Sequence, residues 1–139
     1  MATPIHTTTA ATPVGAYPHA LQAGNFLYLS GIGPRSALDN SIPGLAVDAK
    51  GNYTEFDFAA QVHSVMANIK AVLTASNATW EQLIDVTVYL VDMKRDFVTF
   101  NQIYAEYFAT HQPCRTTVAV SALPTPIAIE LKCVAYMGE

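Results

Sequence analysis

The sequence predicts an α+β domain, a mixed sheet carrying two helices on one face. Three observations lead there. Phe58, Val62, Val65, Met66, Ile69, Val72 and Leu73 recur at helical spacing, as do Phe97, Phe100, Ile103, Tyr104, Tyr107 and Phe108. The segments Ile84–Val91, Arg115–Ser121 and Ile127–Tyr136 are rich in β-branched residues and read as strands. The resulting order, β-β-loop-α-β-α-β-β, places both helices in crossovers over one side of the sheet.

Each element has its own signal. Ala16–Gln22 and Phe26–Ser30 form a hairpin across Ala23-Gly24-Asn25, a turn sequence flanked by apolar residues. The segment from Gly31 to Gly51 holds Gly, Pro and Asn turn residues without periodicity and reads as one long loop. Thr54 and Asp57 suit the start of the first helix and Asn77 its end. Thr79-Trp80-Glu81-Gln82 resembles a capping box opening a short turn. The second helix is expected over about Asp96 to Ala109, with Pro113 beyond it. Leu123-Pro124-Thr125-Pro126 turns the chain into the last strand, and no internal repeat appears.

The chain of 139 residues fits a single domain spanning 1–139. Its residues are 51% hydrophobic and only 13% charged, which points to surface hidden in an oligomer. Strands such as IDVTVYLV are apolar on both faces, and two helices cover only one. A net charge of −4 argues against nucleic acid and anionic membrane as partners. Apolar runs stop well short of the ~20 residues that span a bilayer. The opening MATPIHTTTAATP lacks the features of a secretory signal, and Cys114 and Cys133 make no disulfide framework. A reduced, cytoplasmic protein is expected.

Metal chemistry finds no support, because His6, His19, His63 and His111 are scattered without ligand spacing. Ser30 lacks a nucleophile elbow and reads as a turn residue or a hydrogen-bond donor to a ligand. Cys114 beside Arg115 reads as a small buried side chain or a reactive thiol. Arg115 and Glu130 are the informative pair, since a charge within an apolar strand is costly to bury unless paired or functional. Guanidinium binds carboxylate through two parallel hydrogen bonds, and a partly buried glutamate can exchange protons with water. Spacing alone favours a structural bridge between neighbouring strands over the functional reading.

Several segments, taken together, resemble the reactive intermediate deaminase (Rid) family over nearly the whole chain. They are Val14-Gly15-Ala16-Tyr17, Gly24-Asn25 through Ser30-Gly31, Phe100-Asn101-Gln102-Ile103-Tyr104, Pro113-Cys114-Arg115-Thr116-Thr117-Val118 and Ile129-Glu130. The resemblance implies a chorismate-mutase-like fold with a mixed six-stranded sheet. It also implies a homotrimer, or a dimer of trimers, whose sheets form a central barrel with sites between subunits. The implied activity is hydrolysis of enamines and imines to ketones plus ammonia without a cofactor. Arg115 would bind the substrate carboxylate and Glu130 the attacking water, with Tyr17, Ser30 and Asn101 lining the cleft.

Two departures stand out: Thr117 where many members carry cysteine, and a longer loop over Gly33–Gly51 that carries Arg35. That loop, with its wording GIGPRSALDNS, is similar to the 2-aminomuconate deaminases of bacterial aromatic degradation. Those enzymes form 4-oxalocrotonate and ammonia. For such a dicarboxylate Arg35, helped by His19, is a candidate for the far carboxylate, against the plainer reading of an exposed loop cation. The rival expectations are a general deaminase of small imino acids such as 2-iminopropionate, and a non-catalytic ligand-binding protein.

Overall fold

The computed structural model describes residues 1–138. Its strands are β1 (Thr3–Ile5), β2 (Ala20–Ala23), β3 (Phe26–Leu29), β4 (Leu45–Val47), β5 (Tyr53–Phe56), β6 (Leu83–Leu90), β7 (Cys114–Ala119) and β8 (Ile129–Tyr136). The helices are α1 (Phe58–Ala75) and α2 (Met93–Tyr107), with a 3-10 turn at Trp80–Gln82. The main sheet has six strands in the order β1-β2-β3-β8-β6-β7, with β4 and β5 paired separately. The β6–β7 pair is parallel and the others are antiparallel, because α2 carries the chain back over the sheet between β6 and β7.

Local chemistry explains the boundaries. The β2–β3 turn needs a positive φ, which Gly24 supplies at 60°. The Asp57 side chain accepts a hydrogen bond from the Ala60 N–H at 3.0 Å and caps α1. At its other end Ser76 Oγ donates to the Val72 carbonyl, and Asn77 turns the chain at φ 57°. Helix α2 starts at Met93, three residues before the expected start, because Asp92 caps it through the Arg95 N–H at 3.0 Å. The Thr79 N–H donates to Gln82 Oε1, one half of the expected capping box.

Two elements escaped the sequence reading. The short β1 pairs with β2 at the sheet edge, and β4–β5 forms a hairpin around the end of the expected long loop. The loop itself is pinned. Ile32 exchanges backbone hydrogen bonds with Leu131 at 2.8 and 2.9 Å, and Ser64 Oγ donates to the Pro34 carbonyl at 2.6 Å. Buried Asn68 donates to the carbonyls of Gly33 and Arg35 and accepts from the Ala11 N–H, holding loop and N-terminal segment against α1.

The core lies between the helices and one face of the sheet. On β8, Ile129, Leu131, Cys133 and Ala135 point into it, beside Val86, Val88 and Leu90 of β6. The alternate residues form an open face. There Phe26, Tyr28 and Tyr136 are 40%, 44% and 38% exposed, with Leu21 and Val118 nearby in the sheet.

Candidate active site

The register across the sheet decides which side chains can meet. Glu130 stands opposite Tyr89 of β6, which stands opposite Val118 of β7. Arg115 stands opposite Val86, which stands opposite Cys133. Residues paired across strands share a face and successive residues alternate. Glu130 therefore projects from the open face and Arg115 from the helix-covered face. The bridge between neighbouring strands favoured by spacing does not form. Strand β6 separates β7 from β8, and the two residues are offset by about 10 Å along the strands.

Glu130 lines an open cleft with Tyr17, Ser30, Gly31, Tyr89, Pro124 and Lys132. Its carboxyl packs against the backbone of Gly31, so closely that a Cβ there would meet Oε2 at 2.5 Å and Cδ at 3.0 Å. The Ser30-Gly31 pair is thus a seat for the acid. Burial raises the Glu130 pKa above its usual value, which favours a carboxyl able to hold and release a proton. Ser30 Oγ donates to the Pro18 carbonyl at 2.7 Å and its N–H to the His19 carbonyl at 3.0 Å. Those bonds hold the Tyr17–His19 segment beside the seat. The Tyr17 hydroxyl accepts from the Val14 N–H at 3.3 Å.

Arg115 forms a separate half-site with Asn101, Tyr104, Ala105, Phe108 and Gln112. Its guanidinium carbon lies 4.7 Å from the Tyr104 ring centroid, 5.4 Å from Phe100 and 6.0 Å from Phe97. The aromatic stripe of α2 therefore supports a cation through ring faces rather than through a carboxylate. Among the described residues the ion pairs join Arg95 to Asp92 and Asp96, and none involves Arg115. The hydroxyls of Tyr104 and Thr117 are buried without a hydrogen-bond partner, and burial pushes the Tyr104 pKa up to about 12. An unpaired guanidinium set over the ring of Tyr104, whose hydroxyl is unsatisfied, is suited to receiving a carboxylate.

Arg35 and His19 meet in a third pocket, which shares Tyr17, Ser30 and Gly31 with the Glu130 cleft. Both are engaged within the chain. Arg35 donates to the Thr12 carbonyl at 2.5 Å and to Asn40 Oδ1 at 3.0 Å. His19 Nε2 bonds to the Ala11 carbonyl at 2.9 Å, and Nδ1 accepts from the Thr7 N–H at 3.3 Å. Cys114 is exposed rather than buried, whereas Cys133 lies in the core. Among the described residues no three metal-ligating side chains gather.

The site residues named from the sequence thus fall into three groups: Tyr17 and Ser30 around Glu130, Asn101 beside Arg115, and Arg35 with His19 in the pocket adjoining the Glu130 cleft. Gly31, Tyr89 and Lys132 were overlooked. The signal for Lys132 was available, since IELKCVAY sets a second charge two residues after Glu130, on the same face.

Residues 7–137 match the family described as Endoribonuclease L-PSP. The chain belongs to this family, which is the Rid family. A RutC family protein of Pyrococcus horikoshii is 41% identical over 133 residues, covering 95% of each chain. A chloroplastic reactive intermediate deaminase A of Arabidopsis thaliana is 33% identical over 96% of this chain and 65% of that one. Among solved structures, a yeast protein superposes with a TM-score of 0.85 at 34% identity, covering 98% of both chains. TdcF of E. coli with bound serine reaches 0.83 at 26% identity, over 96% of this chain and 98% of that one. The fold is thus the chorismate-mutase-like one of Rid proteins. Among the described residues no helix is long and apolar enough to cross a membrane.

Proposed function

We propose that the protein is a cofactor-independent deaminase that hydrolyses 2-imino acids, and the enamines that tautomerise to them, to 2-oxo acids and ammonia. The observation that carries this reading is the Glu130 carboxyl, half-buried, raised in pKa and fixed against Gly31 in an open cleft. Protonation of an enamine at carbon gives the imine. Glu130 then takes a proton from water as its oxygen bonds to the imine carbon, giving a carbinolamine. The same carboxyl returns the proton to nitrogen, and as the C–N bond breaks Glu130 takes the carbinolamine hydroxyl proton, so the C=O bond forms, one water enters and one ammonia leaves.

Such a substrate carries a carboxylate beside the reacting carbon, and Arg115 is the group to hold it. Because Arg115 and Glu130 leave opposite faces of one sheet, the complete site takes Arg115 from a second copy, in a homotrimer with the open faces inside. The aromatic open face and the unpaired Arg115 support this arrangement. The relatives favour a small imino acid as substrate over 2-aminomuconate, because none named above points to aromatic degradation. Arg35, the candidate for the far carboxylate of a dicarboxylate, bonds within the chain to Thr12 and Asn40.

The test is ammonia release from 2-iminopropionate generated in situ, with 2-aminomuconate alongside, and the mass of the assembly in solution. Turnover abolished by Glu130→Gln and by Arg115→Ala is expected. Turnover unaffected by either substitution would end this reading.

A further inference from the structure

Lys132 is the group that the mechanism above leaves unused. It follows Glu130 by two residues on β8, so their Cα atoms lie about 6.6 Å apart on the same face. Both line the cleft that contains Tyr17, Ser30 and Tyr89. The Lys132 ammonium donates to the carbonyl of Leu29 at the end of β3, the residue before Ser30 and Gly31 of that cleft. Among the described residues no carboxylate lies within ion-pair distance of it. Glu130 is its strand neighbour yet does not pair with it. Asp85 on β6 is opposite Val134, a diagonal step from Lys132, and forms no bridge either. Half-burial lowers the Lys132 pKa, so its charge is held at a cost that a nearby anion would offset.

We propose that Lys132 is an anion-recognition residue of the Glu130 cleft and makes the site selective for imino acids bearing a second carboxylate. This rests on the deaminase reading for the first carboxylate, held by Arg115, and for the imine carbon, held at Glu130. The spacing between Glu130 and Lys132 then suits a second carboxylate two or three carbons beyond the reacting carbon. Arg35 is not needed for this role.

The experiment compares the full chain in its native assembly with Lys132→Met, Lys132→Gln and Lys132→Arg. Two readouts are taken on each protein. One is kcat/KM for ammonia release from 2-iminoglutarate and from 2-iminopropionate, both generated in situ. The other is calorimetric binding of unreactive glutarate and propionate. The wild type is expected to favour the dicarboxylate in both. Lys132→Met and Lys132→Gln should each cut the ratio of dicarboxylate to monocarboxylate preference by tenfold or more, and Lys132→Arg should keep most of it. A general packing defect would lower both substrates together and leave the ratio in place, which overturns the proposal. A wild type with no preference also overturns it, while turnover of both imines would leave the deaminase reading standing. Conversely, a glutarate preference that depends on Lys132 in a protein turning over neither imine sustains Lys132 as the anion-recognition residue of the cleft and removes the deaminase reading.

Discussion

Replacing Gly31 with alanine tests the seat of the acid directly. The new Cβ would sit 2.5 Å from Glu130 Oε2, about 0.9 Å inside the 3.4 Å at which ordinary contact begins. The backbone gives no reason for strain, since Gly31 is not among the positive-φ glycines, which are Gly24, Gly44 and Gly51. The carboxyl group is the far end of a flexible side chain, so it moves rather than the strand. A shift of about 1 Å in a catalytic group costs roughly 100-fold in rate, or about 2.7 kcal/mol of transition-state stabilisation. Stability should barely change. Loss of glycine's unfolded-state freedom contributes about 0.4–1 kcal/mol, and a displaced Glu130 rotamer costs a similar amount. The assay is kcat/KM for imine hydrolysis beside a thermal melt. The double variant Gly31→Ala/Glu130→Gln should be no worse than Glu130→Gln alone, because both changes act through one carboxyl. Full activity in Gly31→Ala, or a fall in Tm beyond about 10 °C, would refute the reasoning.

Three other outcomes follow from the geometry. Glu130 has a raised pKa in the fold, so the native state binds its proton more readily than the unfolded chain does. Its charged form therefore weakens the fold above the native pKa, and that penalty disappears as pH falls below the unfolded value of about 4.5. Glu130→Gln should accordingly melt higher than wild type near pH 8 and converge with it near pH 4 in a pH series of melting curves. Arg115→Lys keeps the charge but loses the planar fork stacked on Tyr104 and Phe100, so kcat/KM for a 2-imino acid should fall at least about tenfold, mostly through KM. Asn68→Ala removes the side chain that ties Gly33, Arg35 and Ala11 to α1. A loss of about 2–3 kcal/mol is expected in denaturant titration, with faster proteolytic cleavage in the 33–51 loop.

The helices and the long strands were legible because their buried faces impose a period on the sequence. Phe58 through Leu73 form one unbroken stripe, and Asp57 and Asn77 mark its ends. Strand β1 was not legible because three residues containing Pro4 carry no period, and only pairing with β2 makes them a strand. The β4–β5 hairpin was hidden for a similar reason, since Leu45–Val47 is too short to alternate visibly. At the site, the residue types of Arg115 and Glu130 announced their chemistry. Their separation did not, because it depends on β6 lying between β7 and β8, and strand order is a long-range property. The pull of Thr12 and Asn40 on Arg35, and the contact between Gly31 and Glu130, likewise join segments that the chain brings together only on folding.

The opposed faces of Arg115 and Glu130 have a genetic consequence. In the proposed assembly each site draws its guanidinium from one copy and its carboxyl from another. Chains carrying only Arg115→Ala and chains carrying only Glu130→Gln are then each inert alone, yet complement one another when mixed. Random assembly from equal amounts would leave about a quarter of the sites with both groups intact. Two null alleles would thus restore one another, and an inactive copy expressed beside the normal one would disable sites in chains that are themselves sound.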